Sequence, residues 1–67
     1  MKKPMTDDEF WNLVDEYESK SIDITEVIKQ ICAHTNSISV ALADFNLLTK
    51  RNPTKEEYVK FKEFLKI

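Results

Sequence analysis

Residues 24–51 read ITEVIKQICAHTNSISVALADFNLLTKR, and this stretch decides the fold. It holds no Gly and no Pro, and Gln30 to Ala43 carry no formal charge. Apolar residues return every seven positions. Ile24, Ile31, Ile38 and Phe45 form one line, Val27, His34, Ala41 and Leu48 its partner, and Ile28 and Leu42 widen the seam. A strand shows a two-residue period and a helix one near 3.6, so the spacing belongs to a helix. The register passes unbroken through Thr35, Asn36 and Ser37. It predicts one helix of roughly 40 Å, at about 1.5 Å per residue. The alternative is a break at 35–37, because AHTNSIS is weak helix material and Asn36 or Ser37 could cap a second helix.

The flanks read as shorter helices. Thr6 and Glu9 have capping-box spacing, and Asp7, Asp8 and Glu9 put negative charge on the positive end of the helix that follows. Phe10, Leu13, Val14 and Tyr17 give it one apolar stripe, ending near Ser19. Trp11 lies off the centre of that stripe, where it either closes the edge of the core or stands in solvent. Residues 1–5 form a loose tail in this reading. The link Ser19–Asp23 is short, which makes the next helix an antiparallel neighbour. Asp23 and Glu26 mark that helix start. Pro53 pushes Asn52 out of the helical region and ends the long element. Thr54 and Glu57 cap a last helix over 55–66, whose stripe is Tyr58, Phe61, Phe64 and Leu65. Glu16–Lys20 and Glu56–Lys60 are spaced as i, i+4 ion pairs. The expected architecture is all-α, a small helical bundle in one domain over 1–67, with helices at about 7–19, 24–51 and 55–66.

Size and composition exclude several classes. A chain of 67 residues buries only about 60% of its unfolded surface and usually needs a disulfide, a metal or a partner subunit. Cys32 is the single cysteine and His34 the single histidine. No intrachain disulfide can form, and no metal site is expected. A homodimer is the remaining staple and the expected state. Cys32 and His34, two residues apart, point to nearly opposite sides of a helix and make no dyad. The chain contains no Gly, so no phosphate-cradling loop forms. Asp15–Glu26 has the outline of a calcium loop but puts Tyr17 and Lys20 where an oxygen ligand and a Gly belong. No enzyme activity and no cofactor are expected. A lone cysteine and no apolar run of membrane-spanning length point to the cytoplasm.

Interaction is the remaining signal. Ala33, Val40 and Leu47 make a second apolar line at seven-residue spacing. On a continuous helix this line stays open beyond the reach of the short flanking helices and forms an interface. On a broken helix it is ordinary core. Residues 1–33 hold 8 acidic and 4 basic groups, net −4, and residues 34–67 hold 4 and 6, net +2. The candidate partner-binding residues are therefore Trp11, Val40 and Leu47, with Asp7, Asp8, Asp15 and Glu16 as an acidic patch steering a basic partner. The expected function is a regulator or inhibitor, of the kind bacteria and phages encode, acting by protein–protein interaction.

Two alternatives stand beside it. A nucleic-acid-binding regulator would use Lys50, Arg51, Lys55, Lys60 and Lys62. A break at 35–37 would give it a helix-turn-helix outline, but SISVALADFNLL has no cation for phosphate or guanine. The other is an immunity or antitoxin-like protein. Residues 6–15, TDDEFWNLVD, resemble the first helix of colicin-type immunity proteins, which are four-helix inhibitors of nuclease toxins. The resemblance covers ten residues, and the acidic helix and the Tyr-Tyr-Pro segment those proteins use on their targets have no match here.

Overall fold

Thr35, Asn36 and Ser37 break the long element. The structure, a computed structural model, describes residues 3–67, and within them the chain forms α1 (Asp7–Glu18), α2 (Ile24–His34), α3 (Ile38–Thr49) and α4 (Lys55–Leu65). The continuous helix expected over 24–51 is thus two helices. Thr35 is extended, with φ −153° and ψ 150°. The Ser37 N–H donates to Thr35 Oγ1 at 3.0 Å, and the Ser37 hydroxyl accepts from the Val40 N–H at 3.4 Å. Short polar side chains here satisfy backbone groups that a continuous helix would otherwise claim. Length matters as well. A helix of about 40 Å would overrun a molecule whose extents are 30 × 27 × 17 Å. Bending the chain back lets the two halves of the seam face each other.

All four helices start with the same device. Thr6, Asp23, Ser37 and Thr54 are extended residues whose side-chain oxygens accept from the backbone N–H three positions on. Glu9 and Glu57 return the bond and complete capping boxes. Helix ends are less conventional. In a chain without Gly, Lys20, Lys50 and Lys66 take left-handed conformations, with φ of 60–62°. Each carries a steric cost of roughly 1–2 kcal/mol that Gly would avoid.

Apart from His34, the seam residues form the core or its edge, although the helix carrying them is broken. Val27, Ile28 and Ile31 of α2 are fully enclosed with Phe45 of α3 and Phe61 of α4. The two Phe rings meet edge to face, 5.5 Å apart at 85°. Leu13 and Val14 of α1, Cys32, Ala41, Leu48 and Leu65 complete the buried set. Phe10, Tyr17, Ile24, Ile38 and Leu42 pack against it from the edge. Helix α2 is central and touches the other three, whereas α1 and α4 do not meet. Helix α1 therefore leans against α2 and α3 only.

The N-terminal segment is anchored rather than loose where it is described; residues 1 and 2 of the expected tail lie outside the described residues. Met5 packs against the core. His34 holds the segment at the end of α2: its Nδ1–H donates to the Lys3 carbonyl at 3.2 Å, and its Nε2 pairs with the Glu9 carboxylate at 3.2 Å.

The last helix departs from its expected stripe. Phe61 and Leu65 are buried, but Tyr58 and Phe64 are exposed, at 40% and 38%. Glu57 takes an interior place instead. It is held by a two-pronged pair with Arg51, both N–H···O distances being 2.8 Å, and it accepts from the Thr54 N–H at 2.8 Å. Arg51 also lies over the Phe45 ring, 5.2 Å from its centroid. Among the described residues the ion pairs are His34–Glu9 and Arg51–Glu57. Neither Glu16–Lys20 nor Glu56–Lys60 forms. Lys20 lies past the end of α1 in a left-handed conformation, and Lys60 donates to Thr25 Oγ1 across the α2–α4 contact at 2.9 Å. No helix of the described residues is long and apolar enough to cross a membrane.

Candidate functional site

The break at 35–37 does not turn the second apolar line into core. Val40 is 48% exposed and Leu47 67% exposed, and Trp11 on α1 is 61% exposed. The reason is rotational. On α3 the buried face is Ala41, Phe45 and Leu48. Val40 and Leu47 sit one residue back from Ala41 and Leu48, about 100° round the helix. Helix α1 could have covered them, but it meets only the near edge of α3.

A groove of about 640 Å³ opens where α1 and α3 diverge. One wall is Asp7, Phe10 and Trp11 of α1, positions i, i+3 and i+4 on one helical face. The opposite wall is Val40, Asp44 and Leu47 of α3, positions i, i+4 and i+7. The end nearest the α2–α3 turn is closed by His34, Thr35 and Asn36, and Pro4 and Met5 supply the remaining lining. Phe10 and Trp11 meet edge to face at 5.5 Å, so the indole stands against a half-buried ring.

Of the residues expected to bind a partner, Trp11, Val40, Leu47 and Asp7 come together in this groove. Asp8, Asp15 and Glu16 are exposed on α1 but do not line it. Glu16 borders a separate hollow of about 160 Å³ with Glu9, Asn12 and His34. Asp44, Phe10 and the Pro4–Met5 segment were not anticipated. Asp44 could have been found: it lies four residues after Val40 and three before Leu47, on their face of the helix. The part played by the N-terminal segment had no local signal.

The charge on the two helices that wall the groove is one-sided, with His34 at its end the one basic side chain of the described lining. Helix α1 (DDEFWNLVDEYE) carries six acids and no base, and α3 (ISVALADFNLLT) one acid and no base. Asp44 is half-buried, and its carboxyl is pushed above the usual carboxylate range by burial, an effect that the charge of nearby His34 partly offsets. Burial disfavours the charged form, so a cation brought near Asp44 would be favoured.

The alternative site for nucleic acid is arranged differently. Of its five cations, Arg51 is held by Glu57, Lys60 donates to Thr25, and Lys62 lies 5.6 Å from the Tyr58 ring centroid. Lys50 and Lys55 are exposed at the α3–α4 turn. A phosphate would have to displace intramolecular partners from three of the five. Among the described residues no group of three or more His, Cys, Asp or Glu side chains is placed to hold a metal ion. Asp15–Glu26 forms the end of α1, a turn and the capped start of α2. Comparison with protein-family models, with curated proteins and with solved structures gives no match to this chain.

Proposed function

We propose that this chain is a non-enzymatic regulator or inhibitor that works by binding another protein through the α1–α3 groove. One observation carries the reading: three large apolar side chains, Trp11, Val40 and Leu47, surround a single recess while remaining about half or more in solvent. Each forgoes a part of the roughly 1.5–3 kcal/mol that full burial of such a side chain is worth. Clustered in a recess with two carboxylates, they have the composition of a recognition site. The lone cysteine, Cys32, is buried, and the proposed workplace is a reducing compartment such as the cytoplasm. An immunity or antitoxin-like inhibitor is a special case of the same reading, supported by residues 6–15 alone.

The test is affinity capture from the native host with the wild-type chain and with Leu47→Asp. Leu47 is exposed, so the variant should fold, which circular dichroism checks. A protein retained by the wild type and lost on the variant supports the reading; identical capture profiles refute it.

Homodimerisation is the second reading. The exposed positions of α3 (Ser39, Val40, Ala43, Asn46 and Leu47) are all uncharged, which suits a helix-on-helix contact between copies. Sedimentation decides this point, since a monomer of 7.9 kDa at every concentration removes it.

A further inference from the structure

The occupant of the groove can be specified further from charge and length. We infer that the α1–α3 groove takes a basic amphipathic helix from a partner protein, its apolar stripe lying between Trp11 and Leu47 and its Lys or Arg side chains meeting Asp7 and Asp44. The inference rests on the protein-binding reading above and names the chemistry of the partner.

Length gives the first argument. Val40, Asp44 and Leu47 span about two helical turns, roughly 10 Å at 1.5 Å per residue. The facing wall, Asp7, Phe10 and Trp11 at i, i+3 and i+4, is one face of a helix over about one turn, roughly 6 Å. A recess with that spacing accepts side chains at i, i+3 or i+4, and i+7 of a docked helix.

Charge gives the second argument. The two helices that wall the groove carry seven acids and no base, and among the described residues the groove lining has no Lys or Arg, His34 being its one basic side chain. Asp7 lies at the outer end of one wall, and Asp44 lies midway along the other. Asp8 and Asp15 extend the negative field beside the groove. Cations flanking an apolar stripe are the complement, and they also speed encounter.

The same charge speaks against a second copy. A twofold contact through this face would bring two acid-only α1 helices toward each other, and like charges across an interface are costly. The basic residues of α4 offer no substitute, because Glu56, Glu57 and Glu63 interleave them.

Trp11 is the only tryptophan of the chain, so its fluorescence reports on the groove directly. The probes are three capped synthetic peptides without Trp: one with Leu at i, i+3, i+4 and i+7 and Lys and Arg on the flanks, a twin with Glu in place of every cation, and a scramble of the first. The basic amphipathic peptide is expected to shift Trp11 emission to the blue, saturably. Its affinity should fall about tenfold between about 50 and 300 mM salt. Asp44→Asn should weaken it about three- to tenfold, and Leu47→Asp should abolish the shift.

Equal affinity for the Glu twin, or for the scramble, overturns the inference, as does the absence of any saturable shift. If the peptides fail while Leu47→Asp still strips a protein from the capture experiment, protein binding stands and the basic-helix assignment falls. A concentration-dependent dimer that Leu47→Asp abolishes assigns the groove to a second copy, and overturns it too.

Discussion

Glu57→Gln removes one half of the pair that closes the α3–α4 turn, and its effect can be worked out with its sign. In the folded chain Glu57 accepts two hydrogen bonds from Arg51 and one from the Thr54 N–H. Its side chain is 10% exposed, against 42% for Arg51. The Arg51 hydrogen bonds, reinforced by Thr54, hold the Glu57 carboxyl at about 2, well below its ordinary 4.5, against the opposing pull of burial. At 1.36 kcal/mol per tenfold, that depression is linked to about 3 kcal/mol of stability. Water screens the half-open Arg51, so about 2 kcal/mol is the figure to expect. A carboxyl depressed in the folded state stabilises above its unfolded value and stops doing so as pH falls through its folded value. The contribution is therefore full above about pH 4.5 and gone near pH 2. Urea denaturation of both proteins at several pH values isolates it, because the other eleven acidic residues cancel in the difference. At pH 7 Glu57→Gln should lose about 2 kcal/mol, a melting shift near 10 °C for a domain this size. The gap between the proteins should close as pH approaches 2. A constant gap across pH 2–7, or none at pH 7, refutes the reasoning.

Phe61→Ala should cost about 3–5 kcal/mol by opening a cavity beside Phe45. That is comparable with the whole stability of a chain this long, roughly 3–10 kcal/mol, so dispersed amide signals in a proton NMR spectrum should collapse. Lys50→Gly should stabilise by about 0.5 kcal/mol, read as a higher urea midpoint, since it removes a left-handed penalty while freeing the unfolded chain. Asp44→Asn should raise the urea midpoint at pH 7, because a carboxyl pushed up by burial destabilises the fold when ionised. That gain should disappear as pH falls below the unfolded carboxylate value, where both proteins are neutral at this position.

The sequence states the core more clearly than it states the backbone path. Val27, Ile28, Ile31, Ala41, Phe45 and Leu48 are legible because any helical arrangement must bury those stripes. Whether Thr35-Asn36-Ser37 stays helical is not a local question. The same residues suit a solvated helix face or a cap, and what decides is how much cover α1 and α4 can offer a long helix. Trp11, Val40 and Leu47 are legible as apolar residues off the buried stripes. That they face one another depends on where α1 crosses α3, which no periodicity encodes. The Arg51–Glu57 pair is missed for a different reason. It spans six residues and a proline turn, whereas spacing rules see only i+3 and i+4. The Phe64 and Tyr58 positions fail because α4 meets only α2 and α3, so its buried face is narrower than its apolar one.

The distribution of satisfied charge bears on function as much as the groove does. Three cations near the α3–α4 turn and along α4 are engaged inside the molecule: Arg51 by Glu57, Lys60 by Thr25 and Lys62 by the Tyr58 ring. Of the six acids on α1, Glu9 alone has an ion-pair partner among the described residues. The fold thus occupies these three cations with partners inside the molecule, Arg51 alone with an opposite charge, and leaves most acids of α1 without an ion-pair partner among the described residues. Asp44 on α3 is the sharper case. Stability alone would favour a neutral residue there, since burial raises its carboxyl and lowers the stability of the ionised fold. Yet it occupies the middle of the wall between the two apolar residues that a docked helix would touch. A position where stability and recognition ask for different side chains is the place to separate them. If Asp44→Asn both raises the urea midpoint and weakens the basic peptide, the carboxylate serves binding at the expense of the fold.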